Sequence, residues 1–593
     1  HKMKSWITFK QELHSKLQSL LPSSPLGEGE RLSHFRAHSA RETVVMMLCA
    51  LIIGAGSGVL AVSLNWGVHF LQESILFLPD LGQILMPALG AGLAVFMIRN
   101  LLRDPSGHGV PEVIHAVLHD ARNLKKRMIF SRFFGSLFTV GTGNSAGLEG
   151  PTVCIGAAWG AVVARWLNTN ERRSKLLLGY GVAGAVAGIF NAPLTGLIFT
   201  LEIILGEWSV LTVLPSIIAA VTATEFSRVL MGNKITFTHE FEFFDPTSLV
   251  ACVLLGILTG LVSIAFSRSL SWSEKKFNKI GSPWARAALG GAIIGGMAYL
   301  NPSVLGEGYN ITQEFLAQMD QHTVDWVLLF ILLKFIACCV TLGSGGVGGV
   351  FAPSLVLGSA VGMSFGLILG LTGWEGVAEP AAFALVGMAG MVTGVMHGPL
   401  TGVFLVMEST GGYSLILPLM LTASSAMVTS SFLEVGSVYT RNLIFKGDLV
   451  KRGSDQHLLR SLSRDFRDLL DHDFLTVRDS TLLGEFVEVF KNAHRNYFPV
   501  LEADSDRCIG IVFLDDIRSY LFDTHLYNIV SMGSIMRSLP TISTNESIEE
   551  ALDKFELSGA WALPVMDGKE RFLGMLSKST LFDHYRRELQ ITV

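Results

Sequence analysis

Long apolar stretches alternate with short polar turns through most of the chain, and this pattern predicts a bundle of membrane helices. Several stretches approach the roughly 20 residues that a helix needs to span a bilayer, and others are shorter. Glycine clusters and prolines interrupt several of them. Broken helices are tolerated at membrane depth only where they line a cavity enclosed by protein, so the pattern favours a transporter or a channel. The apolar segments are 44–66, 82–99, 127–141, 150–167, 176–205, 209–231, 247–268, 284–300, 325–342, 350–372, 381–409 and 414–435.

The two ends of the chain follow other patterns. Residues 1–42 are polar and basic, with arginines just before the first apolar segment. The positive-inside rule therefore predicts a cytoplasmic N-terminal segment ahead of a transmembrane domain at 43–445. Residues 446–467 are charged and predict a linker. Residues 468–593 alternate short apolar strands with amphipathic helices, which predicts a soluble α/β region.

Composition narrows the class of protein further. Of the 593 residues, 50% are hydrophobic and 16% are charged, whereas soluble domains carry about 25% charged residues. A single soluble enzyme, a fibre and a disordered chain are therefore excluded. The net charge is −5 and basic residues are not concentrated in one stretch, so nucleic acid is not an expected partner. The sequence contains no GxxxxGK[ST] motif and no zinc-type cysteine spacing, so we expect no ATP-driven pump, no metal site and no enzyme.

Internal repeats divide both parts of the chain. Residues 132–160 align without a gap with residues 334–362, at an offset of 202, and residues 181–202 match 387–408 at an offset of 206. Repeats of this kind build many transporters, with the substrate site at the repeat interface. The sequence leaves open whether the halves are inverted or parallel. The tail repeats at an offset of 65, which predicts two units in one compact domain.

The most informative motif holds Glu149 between Gly147 and Gly150, directly before Pro151. Proline suits the first turn of a helix and glycine permits tight turns, so a helix begins here inside the membrane. The free N–H groups at such a helix start bind anions. A carboxylate at that point can occupy an anion site, leave it when protonated and carry the proton. Glu149 is therefore a candidate gate, with a helix cap or an ion pair as the alternative.

Two further turns have the same glycine-and-proline design, and three converging helix ends would replace the water around an anion with amide donors. In the second repeat, Phe351 stands in place of Glu149. His108 is either a donor at the site or a structural turn residue. Glu202 and Glu408 fall at matching repeat positions, and we expect both to form structural ion pairs. The two turns are Gly107-His108-Gly109-Val110-Pro111 and Gly349-Val350-Phe351-Ala352-Pro353.

These motifs resemble those of the CLC family of chloride channels and chloride/proton antiporters, which carries GSGIP, G(K/R)EGP and GxFxP in this order, and then a late tyrosine. Here they read GHGVP, GLEGP, GVFAP and Tyr439, and the resemblance covers roughly 40–445. It implies two inverted halves of broken, tilted helices and a homodimer with one anion pathway per subunit. It also implies Glu149 as the gate, with Phe351 and Tyr439 at the central anion site. The predicted anion-binding residues are Gly107, His108, Gly109, Val110, Gly147, Gly150, Gly349, Val350, Phe351, Ala352 and Tyr439.

Two departures from the family affect the predicted function. His108 replaces the serine of the central site, which leaves small anions other than chloride open. Ile203 stands where antiporters of the family usually carry an inner proton-transfer glutamate, and isoleucine cannot relay a proton. The neighbouring Glu202 is rotated by about 100° on a helix. We therefore predict a CLC-type chloride channel gated by Glu149. The alternatives are a chloride/proton antiporter that uses Glu149 as its external proton acceptor, and a membrane-embedded sensor.

The tail resembles a tandem pair of CBS modules, which we assign to 468–530 and 531–593, and which many CLC proteins carry on the cytoplasmic side. The resemblance thus implies a multi-pass protein of the inner or plasma membrane with a cytoplasmic tail. Nucleotide-binding CBS modules tend to carry a hydroxyl residue and, three positions later, an aspartate. The first module has only the aspartate, Asp516, and the second has only the hydroxyl, Ser577. An adenine nucleotide is therefore a candidate ligand of the CBS pair, although a structural role in dimerisation is favoured. We expect that transport requires no cofactor.

Overall fold

The computed structural model describes residues 28–104, 109–233, 237, 246–317, 322–374, 378–446 and 469–580 except 492, 494, 504, 545, 547 and 568–570, with side chains from residue 43 onward except those of 548, 549 and 552. The chain divides into two compact units, residues 1–449 and 450–593. The first unit is helical. The second combines short strands and helices.

Seven helices in the described part of the chain are long and apolar enough to cross a membrane, as the hydrophobic pattern predicts. Shorter helices lie between them. The helices of the first unit are α1 (Glu28–Leu76), α2 (Asp80–Phe96), α3 (Val110–His119), α4 (Arg127–Gly141), α5 (Glu149–Trp166), α6 (Glu171–Phe190), α7 (Pro193–Phe199), α8 (Val210–Met231), α9 (Pro246–Phe277), α10 (Pro283–Leu300), α11 (Tyr309–Ala317), α12 (Val324–Gly343), α13 (Phe351–Leu371), α14 (Pro380–Met396), α15 (Pro399–Thr410), α16 (Ile416–Leu433) and α17 (Arg441–Lys446).

Two of the predicted apolar segments each contain a sharp break between two helices. α6 ends before Asn191 and α14 ends before His397, and both residues have a left-handed φ of 56°. A left-handed residue commonly ends a helix, and the proline that follows two positions later begins the next one. The breaks fall at equivalent positions of the two repeats. They create the N-termini of α7 and α15 inside the apolar region.

Glycines let the helices of each repeat pack closely. A Cβ on Gly181 would lie 2.0 Å from the carbonyl oxygen of Gly156, where α6 crosses α5. A Cβ on Gly387 would lie 2.4 Å from the carbonyl oxygen of Gly358, where α14 crosses α13. Small residues at these crossings allow backbone contact between membrane helices. The same pair of helices therefore packs in the same way in both repeats.

The second unit contains two equivalent three-stranded sheets, with strand orders β1-β2-β3 and β4-β5-β6. In each sheet the first strand is parallel to the second, and the second is antiparallel to the third. Two isolated bridges, Ile511 with Arg537 and Asp471 with Met575, join segments from the two halves of the tail. The elements are β1 (Val477–Arg478), α18 (Leu483–Phe490), β2 (Tyr497–Leu501), β3 (Cys508–Phe513), α19 (Leu514–Ile517), α20 (Met532–Ile535), β4 (Ile542–Ser543), α21 (Ile548–Ser558), β5 (Ala562–Met566) and β6 (Phe572–Ser577).

Candidate functional site

The two repeats meet at a pair of glycines. The N–H of Gly147 donates to the carbonyl oxygen of Gly349 at 2.9 Å, and the N–H of Gly349 donates to the carbonyl oxygen of Gly147 at 2.7 Å. A Cβ on Gly349 would lie 2.6 Å from the backbone nitrogen of Gly150. The two main-chain segments approach so closely here that only glycine fits at this position. The structure brings the two predicted turns into direct contact through their main chains.

A second set of contacts surrounds this crossing with the same symmetry. The N–H of Ser145 donates to Thr341 Oγ1 at 3.1 Å, and the N–H of Val347 donates to Thr139 Oγ1 at 3.2 Å. Donors and acceptors are equivalent residues of the two repeats. Reciprocal bonds of this kind define a local two-fold axis between antiparallel segments, which agrees with inverted halves.

Glu149 lies at this crossing as the first residue of α5, and its side chain is 1% exposed. Its Oε1 accepts a hydrogen bond from the Tyr309 hydroxyl at 2.5 Å. Its Oε2 accepts from the backbone N–H of Ala352 at 3.3 Å, in the first turn of α13. The carboxylate of one repeat therefore accepts a hydrogen bond from an amide of the other repeat. The sequence predicts that this amide donates to the anion.

Four of the other predicted residues belong to one large buried cluster. Val110, Val350, Phe351 and Tyr439 belong to it. The ring of Phe351 packs against two phenylalanine rings at centroid distances of 5.2 and 5.8 Å. Tyr439 is 5% exposed, and its hydroxyl has no hydrogen-bond partner among the residues that the structure describes. A buried hydroxyl of this kind is suited to an anion.

The third predicted turn is described only in part. Gly109 precedes α3 with a left-handed φ of 82°, a conformation that favours glycine. A Cβ at this position would lie 3.9 Å from the Cys154 sulfur of α5, so the start of α3 lies close to that helix. Gly107 and His108 lie outside the described residues. The role of His108 at the site stays a prediction.

The prediction that Glu202 and Glu408 form ion pairs is wrong. Glu202 accepts hydrogen bonds from the backbone N–H groups of Leu400 and Thr401 at 3.1 and 2.8 Å. Glu408 accepts from the backbone N–H groups of Leu194 and Thr195 at 2.9 and 2.7 Å. Each carboxylate thus caps the first turn of a broken helix in the opposite repeat, where free N–H groups and the helix dipole favour a negative charge.

Ile203 packs against the same buried cluster as Phe351. A Cβ on Gly398 would lie 2.9 Å from Ile203 Cδ1 and 3.1 Å from a carboxylate oxygen of Glu202, so these groups are tightly packed. The carboxylate next to Ile203 is already bonded to the start of α15. The position at which family antiporters usually carry a proton-transfer glutamate is therefore apolar, and its neighbour is engaged in a cap.

Sequence reasoning missed Tyr309 and the buried Lys334. Lys334 is 0% exposed, and its Nζ donates to the carbonyl oxygens of Val304 and Gly306 at 3.0 and 2.8 Å. Tyr309 begins α11 and reaches Glu149 across 160 residues of sequence. The available signal was the GEGYN stretch at 306–310, in which a carboxylate again lies between two glycines in an apolar region.

The two residues suggested for a nucleotide are engaged locally. The guanidinium of Arg537 donates to Asp516 Oδ1 and lies 5.8 Å from the ring centroid of Phe513. Ser577 Oγ accepts from the backbone N–H of Thr580 at 3.1 Å and lies 2.7 Å from its hydroxyl. The other carboxylate oxygen of Asp516, Oδ2, is buried and has no hydrogen-bond partner among the described residues. Nucleotide binding by the CBS pair therefore stays a prediction.

Comparison with known proteins identifies the family. Residues 90–431 match the family model described as voltage gated chloride channel, and residues 466–523 and 532–587 match the CBS domain model. The chain belongs to the CLC family. The resemblance stated from the motifs is therefore confirmed, as is the polytopic helical fold with a C-terminal α/β CBS pair.

Individual relatives add detail on the branch of the family. The chain is 28% identical over 436 residues to "H(+)/Cl(-) exchange transporter ClcA" of Yersinia pestis bv. Antiqua, across 70% of this chain and 90% of the relative. It is 30% identical over 421 residues to the ClcA of Vibrio cholerae serotype O1, across 67% of this chain and 89% of the relative. Both relatives are named as exchangers.

Solved structures agree with this fold. A slow cyanobacterial Cl−/H+ antiporter superposes with a TM-score of 0.63 at 25% identity, across 68% of this chain and 97% of the other. A eukaryotic CLC transporter superposes with a TM-score of 0.61 at 17% identity, across 90% of this chain and 97% of the other, and shares the fold. Transport of a small anion across a membrane is thus supported for this CLC protein.

Proposed function

We propose that the protein exchanges chloride for protons, which is the alternative that the sequence analysis kept beside a channel. The relatives named as exchangers support this choice. The observation that carries it is the bond between the Glu149 carboxylate and the Ala352 amide. One titratable side chain lies on a donor suited to the transported anion, so proton and anion are linked at a single position.

The proposed site is built from helix N-termini. α5 and α13 both begin at the repeat crossing, and neither start is capped by the side chain of its own N-cap residue. Their first amides, with the Tyr439 hydroxyl, would replace the water around a chloride ion without a fixed cation in contact with it. A directly bound lysine would hold the anion too tightly for rapid passage.

Exchange follows from competition for these donors. The ionised Glu149 attracts the Ala352 N–H through a charge-assisted hydrogen bond, and this bond weakens when the carboxylate takes up a proton. Chloride then has access to the amide, and the proton is carried on Glu149. In exchange, chloride leaves the site toward one side of the membrane and the proton leaves Glu149 toward the other, after which the carboxylate returns to the amide.

A passive channel is the second candidate, and Ile203 favours it. An apolar side chain cannot relay a proton from the other side of the membrane, and the capping bonds of Glu202 hold the neighbouring carboxylate. The antiporter therefore requires another proton route on that side. The channel requires none, because Glu149 would then act only as a gate.

Reconstituted vesicles distinguish the two candidates. An imposed chloride gradient is expected to drive protons against their own gradient, with a fixed ratio of chloride to protons. The measurement combines a chloride electrode with external pH recording in the same vesicles. Chloride flux without uphill proton movement would contradict antiport and favour the channel. His108→Ser, measured as a chloride-to-nitrate ratio, tests the prediction that His108 tunes anion preference.

We further propose a homodimer with one pathway per subunit, in the inner or plasma membrane, with the N-terminus and CBS pair in the cytoplasm. Transport makes no chemical conversion, so neither enzyme activity nor a cofactor is required. Cross-linking in native membranes tests the dimer. Protease digestion of right-side-out and of inverted membrane vesicles tests the orientation of the tail.

The CBS pair is proposed as a structural module. The pairing of Arg537 with Asp516 supports this role over adenine nucleotide binding. Calorimetric titration of the full chain with AMP and ATP tests it, and a saturable signal lost in Asp516→Asn would contradict it.

A further inference from the structure

The loop after α10 brings a second carboxylate to the gate. Glu307 lies between Gly306 and Gly308, whose φ angles of 59° and 91° are left-handed and favour glycine. The loop turns here and continues into α11, whose first residue is Tyr309. The backbone N–H of Leu148 donates a hydrogen bond to the Glu307 carboxylate. This loop carboxylate is thus anchored to the residue that precedes the gate glutamate.

Charged and titratable groups face this loop carboxylate from three elements. Lys334 of α12 lies beside the loop, with its Nζ 3.0 Å from the place that a Cβ on Gly308 would take, and Glu149 of α5 bonds to the residue two positions after Glu307. Tyr309 of α11, which donates to Glu149, is the third group. The bonds of Lys334 to the Val304 and Gly306 carbonyl oxygens fix the loop on α12. The loop that carries Glu307 is therefore held by the same lysine that lies beside it.

The two carboxylates differ in their access to water. Glu149 is 1% exposed, whereas Glu307 is partly exposed. Pro302 and Asn310, at either side of the loop, are both exposed, so the loop reaches the protein surface. Glu307 is therefore the carboxylate nearer to this surface.

We propose that Glu307 transfers protons between water and Glu149. A proton leaves a carboxyl oxygen of Glu307 and arrives on a carboxylate oxygen of Glu149, so one O–H bond breaks, one forms and the negative charge moves to Glu307. The Leu148 amide and Lys334 stabilise that charge until water supplies the next proton. Tyr309 keeps its proton and orients the acceptor. This inference rests on the proposed role of Glu149 as the titrating gate.

The test measures chloride efflux from vesicles that contain the full chain, over a range from acidic to alkaline pH. Glu307→Gln keeps the size of the side chain and an oxygen for the Leu148 amide, but it cannot carry a proton. Efflux is expected to fall about 100-fold at the alkaline end, as for loss of a proton-transfer group, and little at the acidic end, where protons are abundant. Glu307→Asp is expected to retain most of the flux. The matched control is Glu314→Gln, an exposed carboxylate in α11.

A double variant separates proton transfer from a structural role. In the Glu149→Gln background, Glu307→Gln is expected to slow efflux no further, because no titrating gate is left to serve. A native pH profile for Glu307→Gln would overturn the inference, and so would an equal loss of flux in both backgrounds. Uphill proton movement by the native chain is recorded in the same vesicles. Its absence would overturn antiport alone, since the pH profile of chloride efflux still decides the role of Glu307.

Discussion

The two repeats of the membrane unit share a backbone design and differ in the side chain that they place at the crossing. The first repeat places Glu149 there, and the second places Phe351 at the equivalent position. The carboxylate accepts hydrogen bonds from Tyr309 and Ala352. The phenyl ring packs against the rings of Phe190 and Phe199 in the buried cluster.

Glu202 and Glu408 are the opposite case, because each repeat carries one of these carboxylates at the equivalent position. Their bonds to the starts of α15 and α7 have nearly equal lengths. A carboxylate that occurs twice therefore holds the architecture, and one that occurs once is the candidate for transport. This distinction can be tested by substitutions on each side of it.

The largest effect is expected at the crossing itself. Gly349→Ala adds a Cβ 2.6 Å from the backbone nitrogen of Gly150, and such overpacking typically costs about 1–3 kcal/mol, occasionally more. We expect loss of chloride efflux and a poor yield of monodisperse protein. Gly296→Ala in α10 is the control, because its Cβ meets nothing within 4 Å. Native efflux from Gly349→Ala would show that the repeats can separate there.

The next effect is the loss of proton coupling in Glu149→Gln. The amide keeps the volume of the side chain but has no titrating proton, so uphill proton movement should stop and chloride efflux should lose most of its pH dependence. Parallel chloride and pH recordings in vesicles measure both. Glu171→Gln is the matched control, since Glu171 is the exposed first residue of α6. Retained pH dependence would assign the gate to another group.

The symmetric carboxylates should give equal and smaller effects. Glu202→Ala and Glu408→Ala each remove a helix cap, which is worth about 0.5–2 kcal/mol. Because the two caps are equivalent, we expect similar decreases in the apparent Tm of the purified protein. A decrease for Glu202→Ala alone, or a specific loss of proton flux in that variant, would show that the symmetry does not extend to function.

The smallest effect is expected at Ile203. Ile203→Glu adds a carboxylate at the position where family antiporters usually carry one. If the native chain already has a proton route, proton flux should change less than about 3-fold, well below the roughly 100-fold typical of a group that transfers the proton itself. Ile203→Gln controls for shape. A large gain would mean that the native chain lacks that route, as a channel would.

The sequence predicts the crossing and the position of Glu149 at it, because the local motifs and the offset between the repeats identify both. Glu149 and Phe351 could be paired by counting residues. Tyr309 and Glu307 could not, because their loop has no counterpart in the matched repeat segments and meets Glu149 only in the folded chain.

The error for Glu202 and Glu408 has a different cause. A buried carboxylate needs compensation, and an ion pair is the form of compensation that side chains suggest in a sequence. Here the donors are backbone N–H groups at helix starts, and every residue except proline carries the same donor. The breaks at Asn191 and His397 that expose these donors depend on single left-handed residues, which leave no trace in the hydrophobic pattern.

The reciprocal bonds of Gly147 and Gly349 also restrict the motion by which this protein can work. To rock one half against the other would break two buried backbone hydrogen bonds, and an unmade buried bond costs about 1–3 kcal/mol. The Ser145 and Val347 amides would lose their partners at the same time. Rotation of the Glu149 side chain about its own single bonds breaks none of these main-chain contacts. We therefore expect the two halves to stay fixed relative to each other while the Glu149 side chain rotates.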